Sequence, residues 1–210
     1  MFVETIANRQ AKADHATPLS DALLLLKDYP ALMLTDGDAI VGGISRGGLF
    51  RTFADYWLTE GPPSREVLEQ PVRNFVEAVP VVPQGAPVEE AADLLVAGNP
   101  PLVAVTDRRG LPYGVISWVE VNRYLREITG MDDKDSVRFS LALIDMPGQL
   151  ARVAEVVGRA GANITALTLS DPKVLNWVHL SLRVDRAHAD IARAALDRAG
   201  IDIIAENTRR

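Results

Sequence analysis

The chain has 210 residues, 48% of them apolar, with 22 basic against 28 acidic residues and no cysteine. That supports one or two domains with ordinary packed cores, or three small ones, and it excludes disulfides and thiolate metal sites. The net charge of −6 is gathered early, with 11 basic against 17 acidic residues over 1–130 and 11 against 11 over 131–210, so no basic stripe is left for a nucleic acid.

The first residues, Met1-Phe2-Val3-Glu4-Thr5, lack the apolar run of a signal peptide. The strongest short apolar run, Leu23 to Leu26, falls far short of the ~18 residues of a membrane span. The expectation is a cytoplasmic protein with neither membrane nor nucleic acid as partner. A helix follows Pro18, with Thr17 as a candidate N-cap and Leu19, Leu23 and Leu26 at helical spacing. Ala31–Leu34 reads as a short strand and Asp36-Gly37-Asp38 as a turn. A second strand ends in Gly42-Gly43-Ile44-Ser45, and a second helix begins just after it.

The same order then repeats. Val3 falls on Val72, Pro18 on Pro87 and Ala22 on Ala91. Leu34-Thr35-Asp36 falls on Val105-Thr106-Asp107, and Gly42-Gly43-Ile44-Ser45 on Gly114-Val115-Ile116-Ser117. The second copy has its strand at Leu102–Val105 and its turn at Asp107-Arg108-Arg109-Gly110. A period of about 70 residues is too long for the common solenoids, so the two copies read as αβ units that pair.

A charged stretch, Asp132-Asp133-Lys134-Asp135, reads as a solvated linker over 131–136. From Val137 the period becomes two: Val137, Phe139, Leu141 and Leu143 alternate with Arg138, Ser140 and Ala142. Pro147 opens a helix that Gly161 ends, Ile164–Ser170 is a strand, and Asp171-Pro172-Lys173 is a turn. Val178, Leu180, Leu182 and Val184 then alternate with Trp177, His179, Ser181 and Arg183; Trp177, His179 and Arg183 read as a polar stripe toward solvent or, with Trp177 among them, as a face packed against another sheet from a second chain or from the repeat. A helix over His188–Ala199, Gly200 and a last strand over Ile201–Ala205 complete a βαββαβ plan, the ferredoxin-like order.

In the first 130 residues, the doubled order and the strand end Gly-apolar-apolar-Ser resemble a pair of CBS domains. That resemblance implies two βαββα-type units, 1–60 and 61–130, whose clefts bind adenine nucleotides or S-adenosyl compounds. It places Thr17, Ser45, Arg46, Ser117 and Glu120 at such sites. The family pattern continues Ser/Thr-x-x-Asp, its hydroxyl near phosphate and its Asp on the ribose. Here Gly48 stands at the first acid position and Glu120 at the second, so the first cleft is expected to lack its ribose anchor. Residues 137–210, with Asp145-Met146-Pro147-Gly148-Gln149-Leu150 and Gly161-Ala162-Asn163-Ile164, resemble an ACT domain. That implies an amino-acid site between two copies of the domain, lined by Asp145, Met146, Gly148, Gln149, Leu150, Asn163 and Ile164. Glycine lets backbone approach a ligand, free N–H groups at a helix start suit a carboxylate, and Asp145 suits an ammonium.

The whole is an α+β chain that resembles the stand-alone CBS/ACT proteins, including those of the acetoin-utilisation type. The resemblance implies a non-catalytic regulatory protein without a resident cofactor. Its small-molecule effector would be AMP, ADP, ATP or S-adenosylmethionine, an amino acid, or both. It would form a homodimer through CBS or ACT surfaces and signal to an unidentified protein partner. A structural or dimerisation module with vestigial clefts is the alternative, and a small enzyme using the cleft near Ser117 and Glu120 is a third reading. The residues themselves show no hydrolase, zincin or P-loop motif, and His15, His179 and His188 lie scattered without metal spacing.

Overall fold

The computed structural model describes residues 1–59, 61–97, 100–171 and 176–208. They form an α+β protein of two compact units, Met1–Tyr124 and Leu125–Arg210. Beyond Asp171, the turn expected at Asp171-Pro172-Lys173 lies outside the described residues.

The first unit holds the repeat as two like sheets. In the first copy, β1 (Lys12–Asp14), α1 (Leu19–Asp28), β2 (Ala31–Asp36), β3 (Ala39–Ser45) and α2 (Arg46–Thr59) follow in that order. After a short helix α3 (Arg65–Glu69), the second copy runs β4 (Val81–Pro83), α4 (Val88–Ala97), β5 (Val103–Thr106), β6 (Pro112–Ile116) and α5 (Trp118–Ile128). In each sheet the first strand pairs parallel with the second and the second antiparallel with the third. Sequence pattern does not reveal β1 or β4, because each has three residues and too little apolar alternation to register as a strand. α1 starts at Leu19 with Pro18 at its N-cap position and no side-chain cap bond, so Thr17 does not cap it. Instead the Thr17 carbonyl accepts from the Val72 N–H at 2.7 Å. α1 buries Leu19, Ala22 and Leu26, which leaves Leu23 at the surface.

The two copies exchange their leading segments. Two 3-10 turns, Val3–Thr5 and Val72–Phe75, occupy equivalent places in the repeat, and each enters the core of the other copy. Phe2 bridges to Pro87 as Pro71 bridges to Pro18. Val3 N–H donates to Ala86 at 2.9 Å, as Val72 does to Thr17. Farther on, Asn8 and Val115 exchange two main-chain hydrogen bonds, and Glu77 and Gly43 do the same at 2.8 and 3.0 Å. The Glu4 carboxylate takes the Gly85 N–H at 2.8 Å, the first cause of its lowered pKa. Val3 and Val72 are both fully buried, so each copy's core is incomplete without the other's first turn.

The second unit is a βαββαβ sandwich of β7 (Ser136–Ile144), α6 (Gln149–Arg159), β8 (Ile164–Ser170), β9 (Trp177–Asp185), α7 (Ala189–Arg198) and β10 (Asp202–Thr208). The sheet is antiparallel in the order β10-β7-β9-β8. Val137, Phe139, Leu141, Leu180, Leu182 and Val184 meet Val153, Val157, Ala192 and Leu196 of the helices in one core. On the opposite face His179 and Ser181 are half-buried, and Arg183 departs from the solvated stripe expected. Arg183 is buried, with Nε donating to the Thr129 carbonyl at 3.0 Å and Nη1 to Ser136 Oγ at 3.0 Å. Gly130, at φ +62°, lies over it: a Cβ there would stand 2.8 Å from Arg183 Cδ and 3.0 Å from Ala166 Cβ. Trp177, on the same face, does stay exposed.

The exchange depends on close backbone crossing. Gly42 has φ +144°, and a Cβ there would stand 2.6 Å from the Glu77 carbonyl oxygen and collide with the Val76 side chain. Gly42→Ala is therefore expected to destabilise the first unit by about 2–3 kcal/mol, read as a lower urea midpoint. Gly114→Ala, with its nearest contact at 3.0 Å from the Asn8 carbonyl, should cost less.

Candidate functional site

Three places gather the residues singled out by sequence. At the end of β6, Ser117 and Glu120 close on each other. Glu120 Oε2 accepts from the Ser117 N–H at 2.9 Å and from Ser117 Oγ at 2.6 Å, while Ser117 Oγ accepts from the Val119 N–H at 3.2 Å. This is a capping-box arrangement: the residue before the helix caps the second N–H with its hydroxyl, and the third residue reaches back to its N–H. Glu120 is 2% exposed, so its carboxylate serves α5 rather than an open cleft. The pattern Ser-x-x-Glu in Ser117-Trp118-Val119-Glu120 is the sequence signal for this role.

The first copy is arranged differently. Ser45 Oγ accepts from the Gly48 N–H at 2.9 Å and so caps the first turn of α2 alone. Above Gly48 lies the Glu77 side chain, delivered by the exchanged segment. A Cβ on Gly48 would collide with Glu77 Oε1 and stand 2.8 Å from its Cδ. Glu77 Oε2 also accepts from Arg51 at 3.3 Å, and both side chains are open to solvent, 33% and 64% exposed. Arg46 is exposed beside Ser45. Thr17 is half-buried and bound through its carbonyl to Val72. No sequence signal marks Glu77, because it lies 29 residues beyond Gly48 and meets it only through the exchange.

In the second unit the turn after β7 is formed by Pro147 and by Gly148 at φ +88°, a left-handed position that favours glycine. α6 thus begins at Gln149, two residues later than Pro147 suggests. Asp145 is fixed through its N–H to the Asn176 carbonyl at 2.9 Å. Asp145, Met146, Gly148, Gln149 and Leu150 line one open cavity of about 390 Å³, together with Leu143, Leu169 and Val178. Asn163 and Ile164 are not in it. They sit at the other end of α6, and an 11-residue helix is about 16 Å long. There the Asn163 N–H donates to Asp185 Oδ1 at 2.8 Å, and Ile164 opens β8 opposite Val184.

Asp185 also pairs with His188, and that hydrogen bond, followed by the Asn163 N–H, holds its carboxyl below the usual range. His15 lies against the Thr35 carbonyl and near Asp14 and Asp36, with Nδ1 3.9 and 3.7 Å from their carboxylates. Among the described residues no group of three or more His, Cys, Asp or Glu side chains is placed to hold a metal, and no helix is long and apolar enough to cross a membrane.

No family model and no curated protein matches the chain. Solved structures do. A hemolysin-like protein containing a CBS domain from Oenococcus oeni PSU is 20% identical, covering 59% of this chain and 88% of its own, with a TM-score of 0.46. A CBS domain pair/ACT domain protein from Thermotoga maritima is 16% identical over 60% and 98%, with a TM-score of 0.46. CBSX2, a CBS-pair protein from Arabidopsis thaliana, solved in complex with AMP, is 25% identical over 60% and 97%, with a TM-score of 0.47. Likeness at this level carries no functional argument by itself, and the chain's own residues have to supply one.

Two variants test these placements. Glu120→Ala leaves the Ser117 N–H without its acceptor and is expected to cost about 1–2 kcal/mol of stability by denaturant titration. Asp185 has a lowered folded pKa, so its contribution is complete above the unfolded value and disappears as pH falls through the folded one. The gap in melting temperature between Asp185→Ala and the native chain should hold down to about pH 5, begin to narrow near the unfolded aspartate value of about 4, and close only below the lower folded value.

Proposed function

We propose that this chain is a non-catalytic metabolite sensor, built of a CBS pair followed by an ACT domain. The observation that carries the reading is the convergence of Asp145, Met146, Gly148, Gln149 and Leu150 on one cavity at the start of α6. A carboxylate beside helix N–H groups suits the ammonium and carboxylate of an amino acid. The walls formed by Met146, Leu150, Leu169 and Val178 suit an apolar side chain. The first unit supports the CBS reading through its two βαββα copies and their exchanged first turns. Its first copy keeps an exposed Arg46 beside Ser45, in keeping with an adenine nucleotide or S-adenosyl ligand there.

The separation of Asn163 and Ile164 from the turn supports a homodimer. Within one chain they lie a helix length from Asp145, so a site using both ends of α6 needs a second copy. β8 is an edge strand with Leu167 and Leu169 exposed, a surface such a copy would cover. Sensing further requires a ligand with different affinity for two arrangements of the protein. The closed capping box at Ser117 and Glu120 favours a narrower reading for the second cleft, as scaffold rather than receptor.

A thermal-shift screen of AMP, ADP, ATP, S-adenosylmethionine and the twenty amino acids tests the proposal. At about 100 times its dissociation constant a ligand adds about 2.7 kcal/mol, a shift of several degrees. Apolar amino acids are expected to give it, and Asp145→Ala to abolish it. A melting temperature unmoved by every compound at millimolar concentration would leave the module reading in its place.

A further inference from the structure

The two copies of the repeat each hold one carboxylate at the start of the helix that follows the third strand, and they obtain it from different parts of the chain. In the second copy it is Glu120, three residues after Ser117 in the same helix. In the first copy Gly48 occupies that position, and the Oε1 of Glu77 fills the space its side chain would take. The counterpart of Glu77 in the second copy is Asn8, as the matching pairs Asn8–Val115 and Glu77–Gly43 show. The acid has therefore changed places between the exchanged segment and the helix.

Its surroundings differ accordingly. Glu120 is buried and accepts from both groups of Ser117. Glu77 is held by two main-chain hydrogen bonds at its backbone, while its side chain is one-third exposed and meets only Arg51 and the start of α2. Arg46, exposed next to Ser45, has no ion pair among the described residues. A carboxylate can accept two hydrogen bonds from a vicinal diol, and the Arg51 guanidinium beside Glu77 can take an anion.

We infer that Glu77 is the hydroxyl-binding acid of the first copy, and that its ligand is a ribonucleotide whose sugar meets Glu77 and whose phosphate meets Arg51. This rests on the nucleotide reading of the first unit given above. It makes the first cleft the receptor and the second a structural copy, the reverse of what Gly48 and Glu120 imply in sequence.

Calorimetric titration of the full chain with AMP and with 2′,3′-dideoxy-AMP tests it. The native protein is expected to prefer AMP by about tenfold or more, the effect of one or two hydrogen bonds to a charged acceptor. Glu77→Ala should reduce that preference to within about twofold. The double variant Glu77→Ala/Gly48→Asp, which returns the acid to the helix, should restore it. Glu120→Gln should lower the melting temperature and leave the preference intact. A preference that survives Glu77→Ala, or one lost only in Glu120→Gln, overturns this assignment while leaving nucleotide binding in place. A native chain that binds none of AMP, ADP, ATP and S-adenosylmethionine overturns both.

Discussion

The first unit depends on one crossing. Residues 76–79 pass over Gly42 and Gly43 closely enough that Glu77 and Gly43 bond through both backbone groups, while Asn8 and Val115 make the mirror crossing in the other copy. A side chain at Gly42 would stand inside the crossing strand. Neither sheet has a complete core of its own. Val72 and Phe75 finish the first, and Val3 and Ile6 finish the second. Since burying a side chain of that size contributes about 1.5–3 kcal/mol, each copy relies on the other for a share of stability comparable to a small domain's margin. The pairing is thus a condition of folding, and the contact of Glu77 with Gly48 is a consequence of it.

Much of this architecture is legible in the residues because periodicity and turn chemistry are local. The alternation of Val137 to Leu143 and of Val178 to Val184 marks the inner face of the second sheet, and both sets are in its core. The equivalence of Val3 with Val72 holds in detail, down to matching 3-10 turns. What local pattern cannot carry is the company a residue keeps after folding. Arg183 reads as an outward residue of an alternating strand, yet the chain around Thr129 and Gly130 folds over it. Once covered, its guanidinium needs acceptors, and the Thr129 carbonyl and Ser136 hydroxyl provide them.

The candidate residues divide along the same line. Asp145 to Leu150 are contiguous, so their gathering at one cavity follows from a single turn. Asn163 and Ile164 belong to the same motif in sequence, but α6 holds the two parts a helix length apart. A rigid helix fixes that distance, so within one copy of this unit the two parts of the motif do not meet.

Ser45 and Ser117 show how one residue type can lead to opposite uses. Both end a third strand and both cap a helix through their hydroxyl. A carboxylate three positions on, as at Glu120, reaches back to the backbone N–H and becomes part of the cap, which is the low-energy outcome for a buried acid with donors at hand. With glycine at that position the cap remains simpler, and there is room for a carboxylate to enter from outside the helix. Glu77 enters from the crossing segment, where its backbone is fixed, with Oε1 set against Gly48 and Oε2 turned to Arg51. An acid committed to its own helix has little left to offer a ligand, whereas one brought in from the partner copy keeps its acceptor capacity. Glycine at position 48 is therefore what leaves room for the Glu77 carboxylate at the start of α2.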